Sequence, residues 1–91
     1  MILRKKSKSQ TTRQSVTRAA LEQSLAEAVK AAHPEFETFV GVIIERVVPA
    51  VSGGTNWALK GVKYGTADRH RSSIVLSYSV EEAQLALEIS D

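Results

Sequence analysis

The sequence predicts a small α+β domain: one helix, a β-hairpin, and a long C-terminal helix packed on the small antiparallel sheet. Three observations carry that expectation. Leu21, Leu25, Val29 and Ala32 recur at helical spacing in a stretch free of Gly and Pro. The run FVGVIIERVV at 39–48 is apolar and β-branched, and a loop holding Ser52-Gly53-Gly54 separates it from a second short run, NWALKGVK at 56–63. After the turn Tyr64-Gly65-Thr66, Leu76, Val80, Ala83 and Leu87 fall at i, i+4, i+7 and i+11, a second helical stripe.

Taken in order, residues 1–13 are expected to be a flexible basic tail ahead of a single domain over 14–91. MILRKKSKSQTT has no helical or strand periodicity. A secretory signal requires an apolar segment after its charges, whereas Ser, Gln and Thr follow here. A mitochondrial-type presequence is allowed by composition, since the first acidic residue is Glu22. The first helix is expected from Gln14 or Ser15 to Ala32, ending at His33 because the residue before Pro34 is pushed out of the α region.

In the strand expected over Phe39–Val48 both alternating sets are largely apolar, the pattern of a strand covered on two faces. One small chain has little to cover both, and a second copy would supply the missing layer. Val40, Val42 and Ile44 are therefore the expected dimer-interface residues. The second strand, Asn56–Lys63, alternates Trp57, Leu59 and Gly61 against Ala58, Lys60 and Val62, with Trp57 expected as a core plug.

The last third has two readings. In the preferred one a single helix runs from an N-cap at Thr66 to about Glu88, because its stripe continues unbroken. Ile74, Tyr78, Leu85 and Ile89 then form a second stripe, making the helix apolar over more than half its girth. The alternative is α-β-β-β-α, with a third strand at 73–79 and Ser79-x-x-Glu82 as the capping box of a short last helix. That order resembles a double-stranded-RNA-binding domain in outline. Such domains open their last helix with basic residues where this chain has Ser79-Val80-Glu81-Glu82, so the resemblance is not adopted.

Composition narrows the function. Hydrophobic residues make up 43% and charged residues 24%, balanced enough for a folded core. The absence of Cys excludes disulfide stapling, thiolate metal sites and Cys nucleophiles, and fits a reducing compartment, hence an expected cytoplasmic location. No apolar run approaches the roughly 20 residues of a membrane span. Nucleotide-binding, hydrolase and metal-binding motifs are missing. His33, Glu35 and Glu37 lack the further ligands a metal site needs. No cofactor and no catalysis are expected.

Charge is unevenly spread. Met1–Arg18 holds six basic residues and no acidic one, while the remainder holds six basic and ten acidic. The leading expectation is a small non-catalytic interaction or assembly protein, homodimeric through the two-sided strand. The alternative is a nucleic-acid-binding protein using Arg4, Lys5, Lys6 and Lys8 of the tail with Lys60, Lys63, Arg69 and Arg71.

Overall fold

The computed structural model describes residues 13–91. Its elements are β1 (Gln14–Val16), α1 (Arg18–Ala32), a 3-10 turn (Pro34–Phe36), β2 (Gly41–Arg46), β3 (Trp57–Lys63), α2 (Arg69–Ala86) and β4 (Leu87–Ile89). This is the expected α+β architecture. The helices pack on each other and α1 packs on β2. The core joins Leu21, Leu25 and Val29 of α1 to Val42 and Ile44 of β2, Trp57 of β3 and Leu76 of α2.

α1 begins later than its apolar spacing suggests. Thr17 is the N-cap, its Oγ1 accepting from the Ala20 N–H at 3.1 Å, and the residues before it form β1. The far end falls where Pro34 requires, with His33 extended.

β2 and β3 pair antiparallel, as expected of a hairpin. The strand is not covered on two faces, however. Val42 and Ile44 are buried in the chain's own core, while Ile43 and Glu45 between and beside them are exposed. The face holding Ile43 lies over small residues, with Gly41 next along β2 and Gly61 paired opposite. The register shifts between Ile43 and Ile44, where Ile43 pairs Gly61 and Ile44 pairs Leu59, leaving Lys60 as the extra residue of a β-bulge. Simple alternation sets Val62 opposite Trp57 and Leu59. The bulge instead brings Val62 to the core side with them, paired to buried Val42.

The hairpin loop closes on a turn in which the Gly54 N–H donates to the Val51 carbonyl at 3.0 Å. Gly53 takes φ +83°, a conformation open to Gly at little steric cost.

α2 is one continuous helix, so the third strand at 73–79 does not form. Its N-cap is Asp68 rather than Thr66, with Asp68 Oδ1 accepting from the Arg71 N–H at 2.8 Å. Ser72 is fully buried, and its hydroxyl is satisfied by donating to the Asp68 carbonyl at 2.5 Å. The helix stops at Ala86, and Leu87–Ile89 leave it as a strand that pairs parallel with β1. Neither short strand was anticipated.

Two polar side chains lock this second, two-stranded sheet to the hairpin. Asn56 Nδ2 donates to the Ile89 carbonyl and its Oδ1 accepts from the Ile89 N–H, both at 3.0 Å. Arg13, expected within the tail, is the other. Its Nε donates to the Gln84 carbonyl and its Nη1 to the Gly53 carbonyl, each at 2.7 Å, tying the hairpin loop to the end of α2. The tail cations Arg4, Lys5, Lys6 and Lys8, and the rest of the tail expected over residues 1–13, lie outside the described residues.

Candidate functional site

A helix that packs on a core by one stripe normally turns a polar face to water. α2 does not. Leu76 is buried in the core and Val80, Ala83 and Leu87 pack against it. On the opposite side Ile74, Tyr78 and Leu85 are 48%, 68% and 72% exposed. At about 100° per residue these three fall within one narrow sector of the helix, spread over about 16 Å of its length. Single exposed apolar residues are ordinary, whereas these three lie in line on one helix, with exposed Glu81 in the same sector between Tyr78 and Leu85.

Charges of both signs surround the strip, with Asp68 and Glu35 at the end that carries the cations. Arg69, His70 and Arg71 stand in the first turn, and Glu81 and Glu82 stand near the other end, followed by Glu88 in β4. A groove of about 320 Å³ opens beside Ile74, lined by Ala32, Phe36 and Val75 and flanked by His33, Glu35 and Arg71. Its polar groups are spent on one another. The Arg71 Nη2 lies 2.7 Å from Glu35 Oε2, an ion pair. The His33 Nδ1 accepts from the Glu35 N–H at 3.2 Å and lies 3.3 Å from the Glu35 carboxylate. Among the described residues no three His, Asp or Glu side chains converge as metal ligands.

The structure disperses the residues singled out from the sequence. Of the expected dimer-interface set, Val42 and Ile44 are 7% and 1% exposed inside one chain, while Val40 is 57% exposed. The argument for a second copy as cover for Val42 and Ile44 therefore falls away, since α1 already provides that cover.

Of the expected nucleic-acid set, Lys60 and Lys63 are exposed on β3. The Arg69 guanidinium sits 5.1 Å from the centre of the Tyr64 ring, which itself meets Phe39 edge-on. Arg71 is neutralised by Glu35 on the groove. The α2 strip is part of the second stripe read from the sequence, whose fourth member, Ile89, lies in β4 and is buried. Two apolar stripes on one helix were the signal.

No helix among the described residues is long and apolar enough to cross a membrane. Comparison with known proteins finds no matching family model, no matching curated protein and no matching solved structure.

Proposed function

We propose that the chain is a non-catalytic interaction module whose contact surface is the outward face of α2. The observation that carries this reading is the exposed line Ile74, Tyr78 and Leu85 on a helix already packed by its opposite face. Keeping three large apolar groups in water gains nothing for a lone chain, whereas their burial against another surface is worth roughly 25 cal/mol per Å² of apolar area. The polynucleotide reading stands behind it. Arg71 is engaged with Glu35, and residues 13–91 hold eight basic against ten acidic side chains, so the folded body carries a net charge of −2.

The test compares the native chain with the triple variant I74E/Y78K/L85E in urea unfolding. Surface positions that serve contact rather than folding tolerate polar replacement within about 0.5 kcal/mol each. Unchanged or raised stability is therefore expected. A loss of several kcal/mol would mean that the strip is part of the fold, and the reading would be withdrawn.

A further inference from the structure

We infer that the Glu22 carboxylate guards the open edge of β2, and that without it this edge takes up the β2 strand of a second copy. The surface concerned is distinct from the outward face of α2, and the inference stands apart from that reading.

The strand itself supplies the hazard. Phe39–Ile44 reads FVGVII, rich in β-branched side chains, with no charge and no Pro. Windows of that kind pair readily with further strands when an edge is left open. β2 has such an edge. Its sheet holds only β2 and β3, so among the described residues β3 fills one side of the strand and no strand fills the other.

The open side shows at Ile44. Its N–H donates not to β3 but to Glu22 Oε2 of α1, at 2.8 Å. A helix side chain thus stands where a neighbouring strand would place a carbonyl. Beside this bond a groove of about 400 Å³ runs between α1 and the start of β2, lined by Glu22, Glu27, Lys30, Val40, Gly41 and Val42. Solvent, and hence an incoming chain, reaches the strand there.

β3 is protected by other means. It carries Lys60 and Lys63, and Gln84 Nε2 donates to its Trp57 carbonyl at 3.1 Å. Charged side chains, Lys above all, deter pairing along a strand. β2 has charges only at its far end, Glu45 and Arg46, so over the uncharged window the guard is Glu22. A second copy supplies the strand that fits, because an antiparallel β2–β2 pair sets the same uncharged window against itself about a twofold axis.

Ala is the strongest helix former, so Glu22→Ala leaves α1 intact while freeing the Ile44 N–H. Glu22→Gln keeps an acceptor oxygen and removes only the charge. Sedimentation equilibrium and amide exchange at Ile44 compare both with the native chain. E22Q is expected to match it in each. E22A is expected to fold, and its apparent mass to climb above the native chain's with concentration, towards twice 9.9 kDa or beyond. Its Ile44 amide is expected to exchange fast when dilute and slowly when concentrated. A bond of purely local importance predicts fast exchange at every concentration. Ile43 lies on the exposed face of β2, so Ile43→Lys costs a single chain little but sets a charge on the edge strand. E22A/I43K is therefore expected to sediment as the native chain does.

An E22A chain whose mass and Ile44 exchange ignore concentration would overturn the inference. Association that I43K leaves untouched would do the same, since it would run through another surface. Loss of near-ultraviolet dichroism in E22A would also sink it, because Glu22 would then be part of the fold and not its guard. Association of E22Q alongside E22A, suppressed by I43K in both, would uphold the guard and assign it to the charge.

Discussion

Asn56 does with one side chain what a neighbouring strand does with its backbone. It offers a donor and an acceptor to the carbonyl and N–H of Ile89, a residue only 2% exposed. Asn56→Ala leaves both groups without partners where water cannot easily replace them, and is expected to cost about 2–3 kcal/mol in urea unfolding. Asn56→Asp is the sharper probe. It keeps the acceptor but turns a second oxygen towards the Ile89 carbonyl, so its cost is expected to equal or exceed that of Ala. An Asp variant that matches the native chain would show that the paired bonds do not hold this junction.

Next to it, the Trp57 indole N–H donates to the Leu87 carbonyl at 3.1 Å, so the one Trp is both the core plug and a tie to β4. Its burial was legible, because a lone Trp in a small domain has few alternatives. Asn56 was not legible, because an Asn before a strand reads as turn chemistry until its partner 33 residues away is known. Gly65 belongs at this scale too. With φ +63°, an added Cβ would run into the Thr38 carbonyl and lie 2.9 Å from Val40 Cγ2. Gly65→Ala is expected to lower stability by at least about 2 kcal/mol, the left-handed strain adding to the clash.

At the scale of elements, the bulge in β3 explains why parity misled. Lys60 is the residue the ladder does not use, so removing it leaves the same pairs: Ile44 with Leu59, Ile43 with Gly61 and Val42 with Val62. Deleting Lys60 is therefore expected to give a folded chain within about 1–2 kcal/mol of the native one, the loss being that of the local twist. Deleting Ala58 is a different matter. The shortened strand can keep its length only as a regular ladder that turns Lys60 inward opposite Ile44 and Leu59 outward. Thermal unfolding of the two deletions should separate widely, and equal losses would count against the register.

The same element scale shows where sequence reading works. α1 and α2 were legible from stripes of apolar residues over about three turns, and the end of α1 from Pro34. β1 and β4 were not, because three residues each are too few to show a period. Their pairing also joins positions 73 apart in the chain, as in Gln14 with Leu87. The contact strip was half legible. Ile74, Tyr78 and Leu85 stand in a stripe, but the choice of Val40, Val42 and Ile44 as interface rested on two apolar faces needing more cover than one chain has, and periodicity alone cannot show that α1 covers Val42 and Ile44 while Ile43 stays exposed.

For the whole molecule, the decisive fact is that the chain closes on its last residues. β4 brings Ile89 into the core, presents the Leu87 carbonyl to Trp57, and exchanges two hydrogen bonds with Asn56, accepting one at the Ile89 carbonyl and donating the other from the Ile89 N–H. It also pairs with β1, which leads into α1. A chain ending at Ala86 loses all of these at once. Burying Ile89 is worth about 2–3 kcal/mol, and the three hydrogen bonds add roughly 1 kcal/mol each. The sum of about 5–6 kcal/mol is as large as the net stability of many small domains. The truncated chain is therefore expected to be unfolded at room temperature, with flat near-ultraviolet dichroism and solvent-exposed Trp57 fluorescence. Asn56→Ala, which removes two of the bonds and leaves Ile89 in place, is expected to stay folded. If the truncated chain folded cooperatively, the hairpin and the two helices would form a self-sufficient unit and β4 would be an ornament. If Asn56→Ala also unfolded, the two side-chain bonds would carry more of the closure than the apolar contact does.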